Sequence, residues 1–322
     1  MRAIILDSDD NYRITELDEP VPGPGEVAIR TAYAGIQWGD TMVRDGHFPV
    51  PRPFVPGFEA SGHVIAVGEG VDEGRVGEPV AALTTAGAYA EVVTVPAVLA
   101  LPAGSVPLRT AAGFGWSTPT AYDLVHHAAR VRAGESVLIH AAAGGVGTLA
   151  AQFAKLAGAG RIVGVVGSPR RADYAARFGF DQVLLRDDFP ANIGDERFDV
   201  VLDPVGGRTR QAGLQALAPH GRLVAYGNIS SHEPVLADAN DLLMAGKSLV
   251  THNSNLLSRT HPDRLADSAR QALELLARGR IRIDITAAYD PEELGVAVQR
   301  LSESATNGKS ILRIADRLGT SS

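Results

Sequence analysis

From residue 136 onward, short unbroken apolar runs alternate with stretches whose apolar residues recur every three to four positions. The runs Ser136–Ile139, Arg161–Val166, Gln182–Leu185, Asp199–Leu202 and Arg222–Tyr226 predict strands, with a further strand near Ser248–Thr251. Thr148–Leu156, Arg170–Phe178 and Arg208–Leu217 between them predict helices. Continuous apolar strands alternating with helices imply a parallel sheet covered on both faces, a doubly wound α/β arrangement. Before residue 120 the pattern differs. Val27–Thr31, Gly62–Val67, Pro79–Leu83 and Glu91–Val95 are short runs punctuated by glycine and proline, as in a β-rich domain. Pro49, Pro51, Pro53 and Pro56 crowd a segment that reads as a loop. After residue 260 the pattern predicts a helix at Asp263–Ala277, a strand around Ile281–Ile285, a helix at Pro291–Ser302 and a strand at Ser310–Ile314.

One junction carries chemistry. The first strand of the alternating region runs into His140-Ala141-Ala142-Ala143-Gly144-Gly145-Val146-Gly147 and then into a helix. Strand, glycine turn and helix form the context in which a glycine fingerprint signals a dinucleotide. The helix N-terminus offers unpartnered N–H groups and partial positive charge to a pyrophosphate. Gly144 and Gly145 let backbone approach it, Val146 lies in the same turn, and Gly147 lets the helix pack on the strand. Ala142 stands where the usual pattern has its first glycine.

Composition narrows the function. The chain has 322 residues, enough for two cores. Its 30 basic and 37 acidic residues give a net charge of −7 and no basic run, which argues against nucleic acid as a partner. It has no cysteine, so disulfides, thiolate catalysis and thiolate metal sites are excluded. No apolar segment reaches membrane-spanning length, and a soluble, cytoplasmic protein is the expectation. Gly115-Trp116-Ser117-Thr118-Pro119 is half of a nucleophile elbow, but Pro119 replaces the closing glycine, which disfavours a serine hydrolase.

The second strand of the alternating region ends in Gly167-Ser168-Pro169-Arg170-Arg171. An NAD-preferring site places an acid here for the ribose 2′-OH. A hydroxyl and two cations instead suit a 2′-phosphate, so NADPH is the expected cofactor.

Several further segments carry a resemblance. They are Pro22-Gly23-Pro24-Gly25-Glu26-Val27, Gly35-Ile36-Gln37-Trp38-Gly39-Asp40, Pro56-Gly57-Phe58-Glu59-Ala60-Ser61-Gly62, Val67-Gly68-Glu69-Gly70-Val71, Thr118-Pro119-Thr120-Ala121-Tyr122 and Gly308-Lys309-Ser310. With the glycine turn, they make the chain similar to the zinc-independent medium-chain dehydrogenase/reductases, in the quinone oxidoreductase (zeta-crystallin-like) branch. The resemblance implies a Rossmann domain at 123–259 inserted in a β-rich GroES-like catalytic domain at 1–122 and 260–322. It implies a homodimer as well.

The same resemblance assigns roles. Ser168 and Arg171 match positions that contact the 2′-phosphate, and Arg186 stands where a tyrosine usually lies beside the adenosine phosphate. Thr120 would meet the nicotinamide carboxamide, and Gly227 and Asn228 would line the cofactor cleft. Gln37 replaces a usual asparagine and, with Asp40, is the candidate catalytic pair; a loop or helix cap is the rival role for Asp40. Zinc-dependent relatives carry a histidine where this chain has Phe58, and a catalytic zinc needs three N, S or O ligands, so no zinc is expected and Glu59 reads as structural. Tyrosines of bacterial quinone reductases are replaced by Met42 and Phe48. With Trp38 and Phe54 these form a candidate apolar surface for a small quinone or enone, although such residues are more often simply core. The expected function is NADPH-dependent reduction of a quinone or α,β-unsaturated carbonyl. Two rivals stay open: a dedicated enoyl reductase of a biosynthetic pathway, and an NADPH-binding structural or sensor protein with little turnover.

Overall fold

The alternation of apolar runs and helical stretches appears directly as layers. In the computed structural model, which describes residues 1–189, 191–231 and 233–315, the chain divides into two compact units. One comprises 1–119 with the segment from 257 on, the other 120–256.

The first unit opens with an antiparallel hairpin, β1 (Arg2–Leu6) and β2 (Tyr12–Glu16). There follow β3 (Glu26–Ile36), the short helix α1 (Trp38–Arg44), β4 (Glu59–Val67), β5 (Pro79–Leu83), β6 (Val92–Pro96) and β7 (Ala100–Pro102). Two short helices, α2 (Leu108–Ala111) and α3 (Ser117–Asp123), lead to the division between units, and α3 continues into a π-helical turn at Leu124–Ala128.

The second unit holds β8 (Ser136–His140), α4 (Gly145–Leu156), β9 (Arg161–Val166), α5 (Pro169–Ala175), β10 (Gln182–Leu185), β11 (Phe198–Asp203), α6 (Gly207–Gln215), β12 (Leu217–Ala225), α7 (Ala239–Ala245) and β13 (Ser248–Thr251). Its six strands lie in the order β10-β9-β8-β11-β12-β13 and all pair in parallel. Numbered within the unit this is 3-2-1-4-5-6, the Rossmann order. The order reverses between β8 and β11. The glycine turn leaves the carboxyl end of β8, which is where ligands of open α/β sheets bind.

Past α8 (Ser254–Thr260) the chain returns to the first unit through α9 (Pro262–Ala277), β14 (Ile285–Tyr289), α10 (Leu294–Ser302) and β15 (Lys309–Arg313). β15 pairs antiparallel with β3, completing a sheet of order β14-β15-β3-β4-β5-β7, with β6 also on β3. Its core is continuous from Ile4, Val27 and Ile29 to Leu294, Val298, Leu312 and Ile314. Residues from the two ends of the sequence thus share one apolar interior.

Three elements differ from the sequence pattern. The helix expected over Arg208–Leu217 ends at Gln215, and Leu217 already pairs with Phe198 in the sheet. The strand expected at Ile281–Ile285 begins only at Ile285. Ile283 and Ile285 would touch a Cβ placed on Gly113, so this apolar alternation packs against the loop after α2 rather than entering a ladder over its whole length. The seven-residue α1 lies inside the stretch that read as β-rich.

Close packing at the glycine turn is measurable. A Cβ on Gly147 would sit 2.5 Å from the Ala141 carbonyl oxygen and 2.8 Å from Ala142 Cα, both rigid backbone atoms. We therefore expect Gly147→Ala to destabilise the protein by about 1–3 kcal/mol, visible as a lower denaturant midpoint with an unchanged slope.

Candidate active site

The first unit contributes α1. Its N-cap is Gln37, whose Oε1 accepts from the Gly39 N–H at 3.3 Å, while Asp40 Oδ2 accepts from the Gln37 N–H at 2.8 Å. This reciprocal capping box fixes the entry of the helix. Gln37 is half-buried, but Asp40 is fully enclosed, and its Oδ1 has no hydrogen-bond partner. Burial pushes the Asp40 carboxyl up to about 7, against the opposing effects of the Gln37 N–H and the nearby Tyr89 hydroxyl; Glu59 adds to the rise and Lys309 subtracts from it. Trp38 is the first residue of the helix and Met42 lies one turn on, both half-buried. Phe48 is 38% exposed, its N–H bonded to the Met42 carbonyl. Phe54 packs with Trp116 against the buried cluster of Leu6, Val43 and Phe58, so its ring is partly core.

Glu59 has a definite job. Its carboxylate is wholly buried, ion-paired to the equally buried Lys309 ammonium, and accepts the Trp116 N–H at 2.9 Å. Lys309 also reaches the Ile36 carbonyl at 3.4 Å. A Cβ on Gly35 or on Gly115 would lie 2.4 Å and 2.0 Å, respectively, from the carboxylate oxygens, so both glycines make room for it. Sequence had marked Glu59 as structural but had not named its partner, which lies 250 positions away. Among the described residues, no group of three or more His, Cys, Asp or Glu is arranged to hold a metal ion.

The second unit carries the phosphate-side residues. Gly144 is the N-cap of α4 and makes no side-chain cap bond, so the first turn, Gly145, Val146 and Gly147, has no side-chain oxygen capping its N–H groups. A Cβ on Gly144 would meet only the Ala141 oxygen, at 3.3 Å. At the end of β9, Ser168 is the N-cap of α5 and its hydroxyl makes no cap bond. Arg171 is half-buried, and both desolvation and the Arg186 guanidinium lower its pKa. The two cations are therefore close enough to repel. Arg186 also lies over Gly167, with Nη2 3.0 Å from where a Cβ would stand.

Arg186 lines an open depression of about 460 Å³ together with Gly206, Arg208, Thr209 and Ser231. Its floor is tight: Gly206 and Gly207 both have positive φ, 85° and 50°, and a Cβ on either would strike Ser231. Asn228 is exposed beside Gly206, and the Gly227 carbonyl accepts from Arg210, itself paired at 2.7 Å with the buried Asp203. Thr120 Oγ1 lies 2.7 Å from Ser254 Oγ, which in turn lies 2.9 Å from His252 Nε2. Ser254 and His252 carried no sequence signal, because their link to Thr120 spans 134 positions. Each group of candidates thus gathers within its own unit: Gln37, Trp38, Asp40 and Met42 on one helix, the glycine turn and the Ser168, Arg171, Arg186 set around the ends of β8 to β10.

Known proteins share this layout. Residues 23–105 match the alcohol dehydrogenase GroES-like domain and 145–278 the zinc-binding dehydrogenase domain. The chain is 34% identical over 304 residues to a quinone oxidoreductase of Pseudomonas aeruginosa, covering 90% of this chain and 92% of that protein. It belongs to the quinone oxidoreductase family of medium-chain dehydrogenases/reductases. The quinone oxidoreductase of Escherichia coli, solved in complex with NADPH, superposes with a TM-score of 0.86 at 28% identity, over 97% of this chain and 100% of that one. The family also reaches into multienzymes: a phthioceranic/hydroxyphthioceranic acid synthase of Mycobacterium tuberculosis is 30% identical over 306 residues, 91% of this chain but 14% of the synthase. The oxidoreductase family membership agrees with the resemblance carried by the motifs.

Two expectations follow for the first unit of this quinone oxidoreductase relative. The folded-state pKa of Asp40 is raised above its ordinary 3.8 to about 7. Between those values the folded protein keeps a proton that the unfolded chain has released. Stability therefore falls as pH rises through this window and is level above it. Asp40→Asn should remove that slope and raise stability at pH 8 by on the order of 2 kcal/mol, measured by denaturation at pH 4.5 and pH 8. Lys309→Met leaves the Glu59 carboxylate buried without its cation and should cost about 3–5 kcal/mol. Combining it with Glu59→Gln should recover part of that loss.

Proposed function

We propose that the protein is an NADPH-dependent reductase that works without zinc and delivers hydride to a small quinone or to the β-carbon of an α,β-unsaturated carbonyl. The observation that carries the cofactor reading is the pair of like charges, Arg171 and Arg186, beside the free cap position of Ser168 at the end of β9. Two guanidiniums that repel one another favour an anion between them, and a 2′-phosphate supplies it. The glycine turn fits the pyrophosphate: the α4 N-terminus has no side-chain cap, and Gly144 puts no side chain between it and a ligand. The NADPH complex of the Escherichia coli relative supports the same reading.

Zinc does not fit the residues present. Phe58 is an apolar, buried side chain where a ligand histidine would be needed, and Glu59 is committed to Lys309 and Trp116. The acceptor is therefore one that is electrophilic without a Lewis acid.

When bound, the nicotinamide supplies hydride from C4. The chain's own part is orientation. Gly145, Val146 and Gly147 would hold the pyrophosphate, and Ser168, Arg171 and Arg186 the 2′-phosphate. Gly227 and Asn228 would border the cofactor, with Thr120 at the carboxamide. Gln37, held as a helix cap by its own Oε1, would present its amide to the ribose or to a substrate carbonyl. Asp40 acts through Gln37 as the other half of the capping box. Trp38, Met42, Phe48 and Phe54 would give a flat apolar acceptor its surface.

A dedicated enoyl reductase is the second reading, favoured by the likeness to the mycobacterial synthase and by Met42 and Phe48, which offer no hydroxyl to a quinone oxygen.

The test is NADPH and NADH consumption with a panel of quinones and enones. Quinone turnover with NADPH preferred over NADH is the expected result. Activity on enones alone selects the second reading, and cofactor binding without turnover selects a structural or sensor protein. Arg171→Ala should lower kcat/KM for NADPH by about 10- to 100-fold, the value of a lost charge-assisted hydrogen bond, and leave the value for NADH nearly unchanged.

A further inference from the structure

The second unit holds a chain of proton-carrying groups that the hydride chemistry alone does not use. It starts at the Thr120 hydroxyl on α3, passes at 2.7 Å to Ser254 Oγ at the start of α8, and at 2.9 Å to Nε2 of His252, just past the end of β13. The same Nε2 lies 3.9 Å from Oδ2 of Asp123, which is fully buried. The other carboxylate oxygen of Asp123 lies 3.8 Å from Nε2 of His127, on the π-helical turn. Burial is deepest at Asp123, in the interior of the chain, and least at His127. Asp123 is enclosed and His252 is 12% exposed, whereas the His127 side chain is 40% exposed and meets solvent. Tyr122 lies beside His127, with ring centroids 5.9 Å apart, and His126 is the neighbouring imidazole.

Serine, histidine and aspartate together invite a nucleophilic reading, and the geometry rejects it. In a hydrolytic triad the imidazole uses one nitrogen for the serine and the other for the acid. Here Nε2 faces both Ser254 and Asp123. What the arrangement suits is relay. Each hydroxyl is both donor and acceptor, and imidazole exchanges protons near neutral pH. A carboxylate between two imidazoles at ion-pair distance stabilises whichever of them is charged.

We propose that Thr120, Ser254, His252, Asp123 and His127 form a proton relay from solvent to the acceptor end of the nicotinamide site. The proposal rests on the reading that Thr120 lies at the carboxamide. Reduction of a quinone or enone adds one hydride and one proton. The hydride is accounted for above; the Thr120 hydroxyl gives the proton to the oxygen or carbon anion of the reduced acceptor. Thr120 regains a proton from Ser254, and Ser254 from the His252 imidazolium. His252 is recharged from the His127 imidazolium through Asp123, by small ring rotations, and His127 is recharged from water. No other oxidant or reductant is required.

Two measurements test this. The first needs no cofactor: in protein labelled with 15N-histidine, the ring proton of His252 should exchange with solvent at least tenfold faster in Ser254→Ala than in the wild type, because its partner is gone. An unchanged exchange rate in that variant shows that the bond does not exist in solution and overturns the relay. The second is turnover of the best acceptor in H2O and D2O. His252→Gln keeps a hydrogen-bonding amide but carries no exchangeable charge. It should lower kcat about tenfold or more, raise the solvent isotope effect and leave the Kd for NADPH within twofold. Ser254→Ala should behave the same way if His252→Gln folds poorly. Wild-type turnover with variants unchanged in kcat and isotope effect overturns the relay and leaves the reductase intact. Absence of wild-type turnover overturns both.

Discussion

The Glu59–Lys309 ion pair is the contact on which the first unit depends. A carboxylate and an ammonium, both removed from water, hold each other, and the Trp116 N–H and the Ile36 carbonyl supply further hydrogen bonds to them. The pair ties β4 to β15 and both to the loop after α2. It also dictates residues around it, since Gly35 and Gly115 leave the space the carboxylate occupies. Asp40 shares this enclosed environment, and there its own burial raises its pKa, while Glu59 adds to the rise and Lys309 opposes it. The seven residues of α1 have little propensity of their own to rely on, and the reciprocal capping box of Gln37 and Asp40 fixes where the helix starts.

The Rossmann unit is held by a different device, close approach of backbone. Gly147 against Ala141 and Ala142, and Gly206 with Gly207 against Ser231, bring helices onto the carboxyl edge of the sheet, where the strand order reverses. The cofactor-side residues follow from this arrangement: Ser168, Arg171 and Arg186 come together because β9 and β10 are adjacent parallel strands that end on the same side.

Much of this was legible in the sequence. A buried parallel strand is an unbroken apolar run, so β9 was readable to the residue; the edge strands β10 and β13 are less buried, but their short apolar runs still marked where they lie. The glycine turn was readable because strand, glycines and helix are contiguous. Local pattern failed where tertiary packing decided the outcome. Ile281 to Ile285 alternates like a strand, but part of its apolar face is satisfied by packing near Gly113. Leu217 extends a helical pattern, yet pairs with Phe198. The Glu59–Lys309 pair and the Thr120–Ser254–His252 chain were invisible for a plainer reason: side chains 250 and 134 positions apart leave no mark on any local window.

The two sheets also differ in how they can be assembled in time. All six strands of the Rossmann sheet come from one continuous stretch, 120–256. The other sheet is interrupted by that stretch, and β15 pairs with β3 across an intervening folded unit. During synthesis the inserted unit is complete before β15 exists, so it can fold by itself first. Meanwhile β3 lacks its β15 neighbour and a carboxylate destined for burial has no counter-ion. The first unit must wait with an open strand edge, the kind of surface that recruits foreign strands. Its final closure is a high-contact-order event, slow by topology, and the most aggregation-exposed interval in the life of this chain falls between the folding of the second unit and the docking of β15.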